Sequence, residues 1–265
     1  MASRPAEEMR PHEIIAAREA SGCAFVPVGP TFEWHSFHLP VGTDALVAEA
    51  VCRIAAERLG GIWFRPLSFG LDMWRTPDDL RAWGFREDER VYGMRFPEVP
   101  LCSEYCEVPE MTAAVRNRLV AVRGSGFRHA FLVNHHGGRG QFETLDALAD
   151  ELSADGFEVH ALRTYQFSDL KEESMRVGGH AGLSETTWVL AFRPELVDLT
   201  QQAEGELSVR RTGILHDKPA IEPQWNPRHA SMAVACALRE RVVENFLRAV
   251  RETAKLDRTK EGEVR

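Results

Sequence analysis

CAFVPVGPTFEWHSFHLPVGTDALVAEAVCRIAAERLGGIWFRP, residues 23–66, decides the fold. Its opening run, 23–28, is short and continuously apolar, the pattern of a strand covered on both faces. Residues 44–59 carry apolar side chains at helical spacing, and 62–66 reads as a second strand, so one βαβ unit is complete by residue 66. Such a crossover joins parallel strands. Gly29, Pro30, Pro40 and Gly42 make the stretch between strand and helix a loop.

The alternation continues outward. Residues 111–122 read as helix, 128–134 (RHAFLVN) as strand, 140–153 as helix and 157–162 as strand. A shorter helix covers 185–192, a long one 230–254, and the charged tail 255–265 reads as disordered. The chain is therefore expected to be α/β, a mostly parallel sheet flanked by helices, in one domain over 1–265. Residues 68–108, rich in Trp, Pro, Gly and charge, form a long excursion of the kind that covers sites or joins subunits.

Composition narrows the function. At 265 residues and 44% hydrophobic, the chain can bury a large core. Forty acidic against 32 basic residues give a net charge of −8, with no basic stripe, which argues against nucleic acid as a partner. The first 22 residues lack a signal-peptide core and no 18-residue apolar run follows, so no membrane partner is expected and the cytoplasm is the expected compartment. Five cysteines, an odd number, are expected to pack as small apolar side chains. Cys102 and Cys106 in CSEYC have metal-like spacing but no second pair, so a zinc knuckle is not expected there.

Chemistry gathers where the strands end. Glu33, His35, His38 and Asp44 fall within twelve residues after the first strand, where parallel sheets place ligands. Mixed nitrogen and oxygen donors suit zinc or manganese. The alternative is a loop whose carboxylates cap or solvate it. The strand at 128–133 runs into Asn134-His135-His136-Gly137-Gly138-Arg139, and the glycines let the backbone approach a ligand. A tight turn with incidental histidines would look the same. His180 and Glu185 in GGHAGLSETT form a third cluster, which an ordinary helix start also explains.

Together these three segments resemble the creatininase family of metal amidohydrolases. The family's first motif, Glu-x-His-Gly-x-His-Leu-Pro-x-Gly-Thr-Asp, is matched from Glu33 to Asp44, with Ser36 replacing the glycine after the first His. Its Asn-Gly-His-Gly-Gly-Asn motif is matched from Asn134 to Arg139, with His135 in the glycine's place. Its His-Ala-Gly-x-x-Glu-Thr motif is intact from His180 to Thr186, and the segment from Asn226 resembles the family's end.

The resemblance implies a three-layer αβα sandwich holding two divalent ions (Zn2+ and/or Mn2+) per chain. One ion would be held by Glu33, Asp44 and His136 and the other by His35, Asp44 and Glu185, with Asp44 bridging. A hydroxide between the ions would be the nucleophile, and His180 would carry a proton to the leaving group. His38 is assigned to packing or ligand support. Trp34 is a candidate pocket wall and Arg139, where the family has Asn, a candidate substrate contact. A homo-oligomer is also implied, a hexamer being one candidate form.

The expected substrate is a small polar molecule whose ring is opened at a carbonyl. Creatininases proper carry a carboxylate at the position of Gly138, so creatinine itself is not expected. EWHSFHLP looks most like the family's 3-dehydro-scyllo-inosose-type hydrolases, which makes a keto-inositol the leading substrate beside a cyclic amide. The alternatives are hydrolysis of a linear amide or formamide, and a non-catalytic binding protein on the same fold. No GxSxG elbow supports a serine nucleophile.

Overall fold

The computed structural model of the chain describes residues 4–168, 179–202, 207, 209–215 and 226–256. Strand β1 (Cys23–Gly29) is buried at every position because it lies inside the sheet. On one side it pairs in parallel with β4 (His129–Asn134), Cys23 beside His129 and Val28 beside Asn134. On the other it pairs first with β2 (Ile62–Trp63) and then with β3 (Leu67–Ser68), also in parallel. Strand β5 (Glu158–Arg163) pairs with β4 and forms the far edge. All ladders between named strands are parallel, as the βαβ reading requires.

Strand side chains alternate between the two faces, and each face has its own core. Phe25, Phe131 and Val133 pack under α2 (Thr43–Leu59), α6 (Leu183–Phe192) and α8 (Met232–Ala254). Val26, Ala130 and Leu132 pack under α1 (Pro11–Ser21), α4 (Val108–Gly124) and α5 (Gln141–Leu152). Three layers result. Stacked Phe25 and Phe131, with centroids 5.3 Å apart, join β1 to β4 at the centre of the first face. Helix α6 lies between α2 and α8, which explains its apolar character around the whole circumference.

Differences from the sequence expectation have local causes. Of the strand expected over 62–66 only β2 forms, and pairing with β1 resumes in β3 just beyond Pro66, which has no N–H for a ladder. Helix α1 went unforeseen although it carries start signals. Pro11 occupies its first turn and the Glu13 carboxylate accepts from Arg10 N at 2.7 Å. The excursion contains α3 (Pro77–Ala82), whose N-cap Thr76 accepts from Asp79 N, and a small core of its own built by Leu80, Phe85, Val91 and Phe96 around Trp34. Residues 257–265 of the tail lie outside the described residues.

Candidate metal centre

The loop after β1, the first turn of α2, the loop after β4 and the start of α6 meet at the carboxyl end of the sheet. The loop after β1 supplies Glu33 and His35, and α2 supplies Asp44 from its first turn, held there by Thr43 donating to Pro40 O at 2.8 Å. The loop after β4 is closed by Asn134, which donates to His136 O at 2.8 Å and so aims the His136 ring back toward α2. Helix α6 opens with Glu185, whose Oε2 accepts from Ala181 N at 2.6 Å.

All five expected metal ligands converge. His136 Nδ1 lies 2.9 Å from Asp44 Oδ2 and 3.5 Å from Glu33 Oε2. His35 Nε2 lies 3.8 Å from Glu33 Oε2 and 3.7 Å from Glu185 Oε2. Donor atoms of Glu33, His35 and Asp44 fall within 4.8 Å of one another, and so do those of His35, His180 and Glu185. His35 belongs to both groups, at the seam between them.

Backbone carbonyls fix the direction of each imidazole. A carbonyl only accepts, so His35 donates from Nδ1 to Glu33 O at 3.1 Å, His136 from Nε2 to Leu71 O at 3.0 Å, and His180 from Nε2 to Trp34 O. The opposite nitrogen of each ring is thereby turned to the carboxylates. Metal-ligating histidines are oriented in this way.

Electrostatics mark the cluster as strained. Burial pushes Glu185 well above the carboxylate range, with Asp44 adding repulsion. Burial acts on Asp44 in the same direction, but the His136 hydrogen bond together with the electrostatic pull of His35, His136 and His135 overrides it and holds that carboxyl well below its usual value. Although burial disfavours a charged His136, Glu33 and Asp44 raise it well above an ordinary histidine. Burial lowers His180 to about 4 and lowers His35 as well. Buried carboxylates at this density call for compensating positive charge.

The other candidates have defined places. His38 donates from Nε2 to Thr186 Oγ1 at 2.9 Å, the hydroxyl's own proton being committed to Gly182 O. Trp34 is buried in the excursion's core, and its ring N–H donates to Thr212 O at 2.8 Å. Arg139 is paired at 2.8 Å with Asp79, which joins the loop after β4 to α3. The five cysteines are free. The sequence reading missed Tyr105, whose hydroxyl donates to Glu33 Oε1. It also missed the Leu71 carbonyl. Both come from the excursion, where no periodicity announces a contact. The only nearby signal was CSEYC, in which the cysteines drew attention from the tyrosine between them.

The creatininase family profile, described as creatinine amidohydrolase, matches residues 7–76 and 106–250. The chain belongs to the creatininase family. Membership makes it a hydrolase. The creatinine amidohydrolase of Pseudomonas putida is 25% identical over 199 residues, covering 69% of this chain and 70% of that protein. A solved creatinine amidohydrolase (creatininase) superposes with a TM-score of 0.68 at 21% identity, covering 96% of this chain and 98% of that one. A structure described as "Creatininase Mn" gives 0.66 at 21%, covering 94% and 97%. A mutant creatininase of Zn-Zn type gives 0.66 at 22%, with the same coverage. The creatininase profile leaves 77–105 unmatched, the stretch that holds α3, most of the excursion's core and Tyr105.

Proposed function

We propose that this chain is a dinuclear-metal hydrolase that opens a ring of a small polar substrate at a carbonyl, with a cyclic amide as the leading class. One observation carries the reading: Glu33 Oε2 and His35 Nε2 are fully buried, point into the cluster, and have no hydrogen-bond partner. Buried lone pairs left open in this way are costly unless a cation takes them. The donor set of three carboxylates and two imidazoles suits zinc or manganese.

Glu33, Asp44 and His136 would hold one ion and His35, Asp44 and Glu185 the other, with Asp44 as the bridge. When bound, such a pair supplies a water-derived nucleophile at neutral pH and polarises the carbonyl under attack. Tyr105 and the carbonyls of Leu71 and Glu33 hold the ligands in register. His180, neutral and bare at Nδ1, is placed to take a proton there and pass it to the leaving group, Nδ1 being 3.9 Å from Glu185 Oε2.

Gly138 bears on the substrate. A Cβ at this position would sit 2.1 Å from Leu71 O and 2.2 Å from His136 Nε2, so the carboxylate found there in creatininases proper has no room. Creatinine is therefore placed below other cyclic amides. The keto-inositol reading rests on EWHSFHLP alone and enters as a second substrate to be tried.

The deciding experiment is elemental analysis of chelator-free protein with a turnover panel of creatinine, other cyclic amides, linear amides, formamides and 3-dehydro-scyllo-inosose. Ring opening of a cyclic amide is expected, together with two divalent ions per chain that depend on Asp44, so that Asp44→Ala loses both those ions and turnover. Turnover confined to linear amides would replace the ring-opening reading. A chain that stays metal-free in zinc and manganese would overturn the mechanism.

A further inference from the structure

A second group of metal donors lies at the other end of the sheet, roughly 20 Å away along β4 at about 3.3 Å per residue. We propose that His129, Glu158 and His160 form a separate site for one divalent transition-metal ion of the zinc class. His129 and Glu158 are direct partners in the β4–β5 ladder, and His160 follows Glu158 by two residues, so all three side chains stand on one face.

The spacing fits a single ion. Glu158 Oε2 lies 3.6 Å from His129 Nδ1 and 3.6 Å from His160 Nε2, and the three donor atoms all lie within 4.8 Å of one another. Tetrahedral ligands at bonds of about 2.1 Å stand about 3.4 Å apart. These separations are too long for hydrogen bonds, and His129 Nδ1 and His160 Nε2 are both buried without a partner. Two imidazole nitrogens and one carboxylate oxygen select zinc-like ions over calcium or magnesium.

The imidazoles are also held in place. The His160 ring stacks on Phe131 at 5.0 Å, the His129 ring on the same Phe131 at 6.4 Å, and the two imidazoles on each other at 5.9 Å. Burial lowers both histidines below their usual range although Glu158 acts against it, and Arg128 and Lys255 add to the lowering at His129. Glu158 has a side chain 59% exposed, which opens the site to entry and to a water as fourth ligand. An ion here would tie the edge strand β5 to β4, a structural role separate from the Glu33 cluster.

The test is diffraction at the zinc absorption edge from crystals grown with zinc. An anomalous peak is expected within about 2.3 Å of all three donor atoms. It should vanish in Glu158→Gln and in His160→Gln while density at the Glu33 cluster persists. Zinc at the Glu33 cluster with none here overturns the proposal, as does a peak that survives both substitutions. In solution, native mass spectrometry at matched free zinc should count one more ion on the wild type than on Glu158→Gln, whose exposed side chain can change without unfolding the chain. Equal counts overturn the proposal.

Discussion

The Tyr105 hydroxyl donates to Oε1 of Glu33 and leaves the other oxygen of that carboxylate, Oε2, facing His35 and His136. A residue of the excursion thus sets the aim of a candidate ligand held by the loop after β1. Groups that orient ligands are typically worth about 10–100-fold in metal affinity. Tyr105→Phe is expected to weaken divalent-ion binding by about that factor while the fold is kept. Competition against a chromophoric chelator reads the affinity, and unchanged binding would show that Glu33 needs no such partner.

Neighbouring glycines should respond differently to the same methyl group. Alanine at 138 must displace His136 or the Leu71 carbonyl, whereas a Cβ at Gly137 meets only the Tyr165 hydroxyl at 3.9 Å. Gly138→Ala is expected to lose metal and turnover and to cost about 1–3 kcal/mol of stability. Gly137→Ala should leave metal content near wild type. Denaturant melts with metal analysis on both proteins check this, and equal behaviour would refute it.

Ser36 occupies the family's glycine position with φ of 64°, and its hydroxyl is buried without a partner. The left-handed backbone costs a non-glycine residue about 1–2 kcal/mol, and the unmet hydroxyl adds to that. Glycine gives back about 0.5–1 kcal/mol through the unfolded chain. Ser36→Gly should therefore raise stability by about 1 kcal/mol, or roughly 2 °C in Tm for a chain of this size. A lower Tm would mean that the hydroxyl has a compensating role.

Thiol reactivity should follow burial. Cys102 and Cys236 are exposed, while Cys23 and Cys52 lie in the core. Burial pushes Cys23 and Cys106 up to about 11 and Cys52 well above its usual value. At pH 8 a thiol of that kind is ionised on the order of one part in a thousand. Two thiols per native chain are expected to react quickly with a disulfide reagent and all five after denaturation. Fast reaction of Cys52 in the native protein would contradict the packing of the buried face of α2.

Regular elements were legible because their signals are local. Residues 44–59 announced α2, 128–134 announced β4 and 157–162 announced β5, each to within a residue at either end, since helical and strand periodicities survive in a sequence read alone. That Glu33, His35, Asp44, His136 and Glu185 would gather was legible for a related reason. Parallel strands end in loops at one edge, and Glu33, His35, Asp44, His136 and Glu185 all lie beside glycines or prolines that break the regular elements.

What the sequence determined by itself was the α/β class, the order of its elements and the identity of the polar residues at the strand ends, because these depend on periodicity and backbone-breaking residues. Tertiary structure alone decided that Tyr105 and the Leu71 carbonyl reach Glu33 and His136, that Arg139 is held by Asp79, and that His129, Glu158 and His160 share one face. The physical reason is register. Such contacts depend on how far one strand or loop slides past another, and that distance is set by core packing and by the path of the excursion rather than by neighbours along the chain.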